Sequence, residues 1–231
     1  MSCEFVHLSN SLNGCFEALK TKVLYTIVYF IIHMIQKVNK LGENHFKILS
    51  LYTKGYDKNY YIREIQKMLK ISTRTALLTL EDLEKRAILT STRRGKIKTY
   101  QIKPDITTRE YFVMAETYKK INFFQKNLTI KTIIEKIENH IKGISIIFGS
   151  YAKGLEKKYS DLDIFVVGAC NNKKIKEISE TYGVKVSIKQ YPQDIFENNL
   201  REDILIKEVI ENHIIITGIE PFINKVITWT K

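Results

Sequence analysis

The stretch from Ile144 to Val167 restricts the fold more than any other. Ile144-Ser145-Ile146-Ile147-Phe148 is a β-branched apolar run that predicts a buried strand, and Ile164-Phe165-Val166-Val167 predicts a second. Between them Gly149 and Ser150 mark a sharp bend, and Asp161-Leu162-Asp163 leads into the second strand. Side chains alternate along a strand, so Asp161 and Asp163 project from one face while Leu162 enters the core. Two carboxylates on one face repel and call for a cation. Oxygen donors at this spacing suit Mg²⁺, which takes substrate phosphates and water as its other ligands. Gly149 lets the backbone turn and a ligand approach closely, and Ser150 offers a hydroxyl and an N–H to a phosphate. A helix starting at Tyr151 would aim its positive end at the same place. A phosphate cradle beside a carboxylate clamp predicts phosphoryl or nucleotidyl transfer.

The full motif is a Gly149-Ser150 pair, Gly154 four residues after the serine, and Ser160-Asp161-Leu162-Asp163 beginning ten residues after it. Set between two strands, it resembles the DNA polymerase beta-like nucleotidyltransferase superfamily, and within it the minimal nucleotidyltransferase domains, over residues 127–231. The resemblance implies that Gly149 and Ser150 bind the phosphates of a nucleoside triphosphate, with Lys153 beside them. It implies that Asp161 and Asp163 are the catalytic, Mg²⁺-ligating pair. The implied reaction is attack of an acceptor hydroxyl on the α-phosphorus, typically moving AMP from ATP to a protein or a small molecule. A small helical partner protein is the acceptor in many such systems. One feature departs from the pattern. Family members carry a third carboxylate on a later strand, and the matching run Val184–Lys189 offers Lys185, Ser187 and Lys189 on the active face, with Ser187 where the acid is expected. Asp194 and Glu197, past Pro192, are the nearby substitutes.

Charge divides the chain. Residues 43–103 hold 14 basic and 6 acidic side chains, whereas residues 127–231 hold 15 and 14, so the first segment supplies most of the net +12. Such an excess attracts nucleic acid, nucleotides or an acidic membrane face. Within residues 43–103, His45–Tyr52, Tyr61–Leu69 and Thr73–Lys85 read as helices, the third capped by Ser72 and burying Ala76, Leu77, Leu80 and Leu83. Ile88–Thr92 and Ile97–Ile102 read as strands around a tip at Arg93-Arg94-Gly95-Lys96. Three helices and a basic hairpin resemble the winged helix-turn-helix family. That resemblance implies DNA binding, with Thr73, Arg74 and Thr75 facing the major groove and Arg93, Arg94, Lys96 and Lys98 on the backbone. Winged helices also dock proteins, and that alternative stays open.

The expected fold is α+β in two domains: a winged helix at 43–103, a helical connector at 104–126 whose helix is capped by Thr107 or Thr108, and a mixed-sheet nucleotidyltransferase domain at 127–231 with flanking helices. The connector's apolar face packs between the modules or makes a homodimer. Asn199–Asn212 reads as one helix. Residues 1–42 are ambiguous: the 13-residue run Val23–Ile35 is too short to span a membrane comfortably, where about 20 residues are needed. It reads as a packed helix, as an upstream artefact if Met34 is the initiator, or as an anchor; no stable membrane association is expected. Three scattered cysteines exclude a disulfide scaffold or a zinc site and point to a reducing, cytoplasmic setting. Cys170 reads as a small half-buried residue, His140 and His213 as lone histidines, Trp229 as a packing anchor, and Lys153, Lys157 and Lys158 as anion holders or a solvated run. Two functions therefore compete: a Mg²⁺-dependent nucleotidyltransferase carrying a DNA-binding module, and a DNA-binding regulator whose transferase domain senses nucleotide with weak or no turnover.

Overall fold

A computed structural model describes residues 41–157 and 159–228. The Val23–Ile35 run, Met34, Cys3, Cys15, Lys158 and Trp229 lie outside the described residues. From Glu43 onward the chain is one compact unit.

It begins with α1 (Glu43–Tyr52), a two-residue strand β1 (Tyr60–Tyr61), α2 (Ile62–Leu69) and α3 (Thr73–Lys85). Ser72 starts α3 as expected: its hydroxyl accepts the Thr75 N–H at 3.0 Å, one of the amides that a helix start leaves without a partner. Ala76, Leu80 and Leu83 bury one side of α3, joined by Thr79, while Leu77 is only half-buried. Strands β2 (Leu89–Arg94) and β3 (Ile97–Ile102) then pair antiparallel, and β1 adds to the far side of β3. The hairpin tip is shorter than expected. Gly95 takes the left-handed conformation that a two-residue turn requires, so Gly95-Lys96 makes the turn alone and Arg93 and Arg94 join the ladder opposite Lys98 and Ile97.

The connector is α4 (Ile106–Lys126). Its cap is Asp105, two residues before Thr107, and its carboxylate accepts the Thr108 N–H at 2.6 Å. Phe112 and Ala115 are fully buried, and the helix packs within this chain on α1 and on β7 and α10 introduced below. Phe112, Ala115 and Phe123 of the connector's apolar face are thus buried within the chain, while Met114 and Ile121 stay exposed. A single apolar cluster consequently runs from Ile48 and Tyr52 through Phe112 to Phe148, Phe165 and Phe222.

Next come α5 (Leu128–Ile137), a short 3₁₀ turn, β4 (Ile141–Phe148), α6 (Gly149–Lys153), β5 (Leu162–Cys170), α7 (Asn172–Tyr182) and β6 (Val186–Tyr191). The chain ends through α8 (Gln193–Asn198), α9 (Ile204–Glu211), β7 (Ile214–Thr217) and α10 (Ile219–Thr228). The four strands order as β6-β5-β4-β7, with β5 and β6 parallel and the other pairs antiparallel, giving the mixed sheet that was expected. One face joins the cluster just described; the other packs Ile133, Ile134 and Ile137 of α5 and Ile175 of α7 against Leu162, Ile164 and Val166. The helix expected over Asn199–Asn212 is shorter than that span: residues 199–202 form a turn, and α9 starts only at Ile204, where the Asp203 carboxylate caps it by accepting the Ile206 N–H at 3.0 Å.

Candidate functional site

The bend and the acid pair meet at one end of the sheet. Phe148, the last residue of β4, is the ladder partner of Asp163, so the turn at Gly149 lands against that carboxylate. Gly149 has φ +69°, and a Cβ there would lie 2.5 Å from Asp163 Oδ2. Any other residue would suffer a strained backbone and a collision with the acid. The backbone at 149 and the Asp163 carboxylate thus face each other with no side chain between them.

Asp161 sits one residue before β5. Leu162 is fully buried between the acids, and both acids are half-exposed on the shared face, as alternation requires. The Asp161 carboxylate is held by the Lys185 ammonium at 2.6 Å from Oδ2. Burial pushes the Asp163 carboxyl above the ordinary carboxylate range, and the charges of Asp161 and Glu208 push the same way; the Ser187 hydroxyl and Lys189 oppose them. Asp161 thus has an ion-pair partner in this state, whereas Asp163 is half-buried with a hydroxyl and no cation in contact.

Ser187 is the ladder partner of Asp163 on β6 and donates its hydroxyl to that carboxylate. The residue expected to be a third acid is therefore in place on the active face, and it is a hydroxyl. Glu197 is drawn away to Lys225, and Asp194 is exposed on α8. Among the described residues no cluster of three His, Cys, Asp or Glu side chains is placed to hold a metal. The donor set still suits Mg²⁺, which binds through one or two carboxylates with substrate phosphates supplying the rest.

The helix after the bend starts at Gly149, two residues earlier than expected, and spans five residues to Lys153. So short a helix has little dipole, so anion binding falls to the Ser150 hydroxyl and the amides of the bend. Lys153, expected on phosphate, is paired in this state with Glu208 of α9 at 2.6 Å. Glu208 is the neighbour that the sequence hid: nothing in its local pattern places it beside residues 55 and 45 positions earlier. Next to the bend, Tyr151, Glu156, Lys157 and the α4–α5 junction enclose a cavity of about 540 Å³.

In the basic segment, Arg74 is exposed on the first turn of α3, while Thr73 and Thr75 spend their hydroxyls locally, on Gln66 at 2.9 Å and Ser72 at 2.8 Å. Arg93, Arg94 and Lys96 are exposed on the hairpin. Lys98, expected with them, is drawn inward to Glu84 at 2.8 Å. His213, read as a lone histidine, belongs to a buried polar cluster. Its Nδ1 donates to the Ile210 carbonyl at 2.8 Å, and its Nε2 lies 2.9 Å from Glu116 Oε1. Lys119 reaches the same Glu116 at 3.1 Å and the Thr53 hydroxyl at 2.9 Å. The cluster joins the end of α1, the connector and the loop before β7. Cys170 is half-buried, as expected, and burial pushes its thiol up. No helix among the described residues is long and apolar enough to cross a membrane.

Residues 128–217 match the family model of a nucleotidyltransferase domain, a stretch that contains the bend, both acids and Ser187. The C-terminal part of the chain is thus a nucleotidyltransferase domain. No curated protein matches the sequence. Among solved structures, the adhesin competence repressor AdcR from Streptococcus pyogenes aligns at 16% identity over 48% of this chain and 81% of that one, with a TM-score of 0.34.

Proposed function

We propose that this protein is a Mg²⁺-dependent nucleotidyltransferase that moves a nucleotidyl group, AMP from ATP as the leading case, to a hydroxyl on a protein or small molecule. The observation that carries this reading is the contact between the Gly149 backbone and the Asp163 carboxylate, with Asp161 on the same face. In this account Ser150 and the amides of the bend hold the β- and γ-phosphates, and Asp161 and Asp163 hold the cation. The bound cation supplies neutralisation of the charge that gathers on the phosphates. Asp161 would hold the cation in place of its present partner Lys185, and Lys153, now paired with Glu208, would serve the triphosphate. The acceptor oxygen bonds to the α-phosphorus, the bond from that phosphorus to the bridging oxygen of the β-phosphate breaks, and pyrophosphate leaves with the electron pair. The acceptor proton passes to water.

The basic segment is the DNA-binding part in this reading, through Arg74 on α3 and Arg93, Arg94 and Lys96 on the hairpin. Its exposed positive charge supports that role. Thr73, Thr75 and Lys98 contribute only if their present partners release them.

A second reading has a specific observation in its favour. Ser187 opposite Asp163 is a weak metal ligand and no base at pH 7, which suits a nucleotide-sensing regulator with little turnover. Labelled ATP with Mg²⁺ and candidate acceptors separates the two. Transfer that disappears in Asp161→Ala/Asp163→Ala supports the enzyme. Mg²⁺-dependent nucleotide binding without transfer supports the sensor.

A further inference from the structure

A cleft of about 770 Å³ opens between α3, the start of α2 and the hairpin, within the range typical of small-molecule sites. It lies outside the nucleotidyltransferase site. Its apolar surfaces come from Leu77 on α3 and from Ile97 and Tyr100 on β3. Ile97 is 56% exposed and Leu77 half-exposed, so an apolar body laid across them would cover surface that water now touches.

The charge around the cleft has one sign in excess. Arg63, Arg93, Lys96 and Lys98 line it against one acid, Glu81. Lys98 is neutralised by Glu84, whereas Arg63, Arg93 and Lys96 have no carboxylate partner among the described residues.

The floor supplies an independent sign of a missing partner. Tyr100 is fully buried, and its hydroxyl has no hydrogen-bond partner of good geometry among the described residues. Its polar neighbour is the Lys98 ammonium, which lies 4.8 Å from the centre of the ring and has only protons to offer. The phenol proton is therefore left without an acceptor. A buried donor without an acceptor carries its full desolvation cost, and native interiors rarely leave one so. The group that would satisfy it is an oxygen acceptor, and the surrounding cations ask that the oxygen be negatively charged.

We propose that this cleft binds a small amphipathic organic anion: a carboxylate or phosphate on an aromatic or aliphatic body. The anionic head accepts from the Tyr100 hydroxyl and is neutralised by Arg63 and Lys96, and the body lies on Leu77 and Ile97. A duplex phosphate is held in its backbone and meets the exposed hairpin arginines, whereas the head of a small molecule can follow the cleft down to the wall that Tyr100 lines, so the occupant is a small molecule. Such a ligand bridges α3 and the hairpin, the two elements assigned above to DNA.

The probe is 2-naphthoate, with the neutral 2-naphthamide as its counterpart, titrated into the full chain and followed by amide chemical shifts and calorimetry. Saturable binding of 2-naphthoate is expected, with shifts confined to residues around 61–63, 73–81 and 93–100 and no saturation by the amide. Tyr100→Phe removes only the unpartnered hydroxyl, so the fold keeps or gains stability, and naphthoate affinity drops about tenfold. Arg63→Ala, which touches no residue assigned to DNA, weakens naphthoate binding severalfold. Neither substitution changes affinity for duplex DNA. The proposal is overturned if naphthoate does not saturate, if the amide binds equally well, or if both variants bind naphthoate as the parent does. It is also overturned if Tyr100→Phe weakens DNA as much as naphthoate, since the cleft would then belong to the DNA surface.

Discussion

Two groups of charged side chains in this molecule lie in opposite electrostatic situations. At the sheet end, Asp161 and Asp163 share a face, and burial together with neighbouring acids raises the Asp163 carboxyl. At the interior junction, burial alone would raise Glu116 as well, yet the charges and hydrogen bonds of His213 and Lys119 outweigh it and hold that carboxyl down to about 2. At the junction the buried acid faces cationic partners on both sides; at the sheet end Asp161 has Lys185, while Asp163 has no ion-pair partner among the described residues. In the proposed reading, a half-buried acid kept beside a glycine bend marks a place for a cation and phosphates, at the expense of stability. A protein that completes an interior cluster uses it to fix how its parts meet.

The largest effect that would sharpen this contrast is catalytic. Asp161→Ala/Asp163→Ala is expected to lower nucleotidyl transfer by about 10³-fold, the scale of several kcal/mol of lost charge stabilisation, with a thermal midpoint no lower than the parent's. Parallel loss of midpoint would make these acids structural and break the comparison.

The junction is expected to behave the other way round. Glu116→Ala leaves Lys119 and His213 buried without their acid and costs about 3–5 kcal/mol of unfolding free energy, read by denaturant titration. The pH dependence has a definite sign. The Glu116 carboxyl is depressed in the folded state, so its stabilising contribution is present above the unfolded value near 4.5 and is lost as pH falls toward about 2. Acid titration of Glu116→Gln should flatten the parent's loss of stability in that window.

These outcomes bear on how much the sequence disclosed. Alternation at Asp161-Leu162-Asp163, the Ser72 cap and the β-branched runs are local patterns, and each was legible because strand and helix periods dictate which side chains share a face. Ser187 was placed correctly for the same reason. The junction was not legible. Glu116, Lys119, Thr53 and His213 meet from three distant segments, and no local period links positions 97 residues apart. The helix read over Asn199–Asn212 starts five residues late because Asp203 is the cap, and its carboxylate is one more polar residue in the sequence until the fold shows it accepting the Ile206 N–H. The hairpin tip was drawn too wide because Arg93 and Arg94 carry the polarity of a turn while pairing as a strand.

A smaller effect concerns the basic segment. The slope of log affinity for duplex DNA against log salt should be steep in the parent, and Arg93→Ala/Arg94→Ala should reduce it by about two. A flat parental slope would remove DNA as a partner and leave the small-anion cleft as the occupied part of this segment.

The smallest effect is one of stability at the sheet end. The Asp163 carboxyl is raised, so ionising it opposes folding above its unfolded value, and the opposition disappears as pH falls through that range. Asp163→Asn should therefore raise the thermal midpoint at pH 7 slightly and leave it unchanged in acid. A midpoint lowered at pH 7 would mean that this carboxylate is already satisfied within the chain.

The most direct test of the central claim is calorimetric titration of the full chain with a non-transferable ATP analogue, with and without Mg²⁺, beside Asp161→Asn/Asp163→Asn. The account predicts binding that requires Mg²⁺ in the parent and none in the variant. Equal binding with and without Mg²⁺, or equal binding by parent and variant, would contradict it.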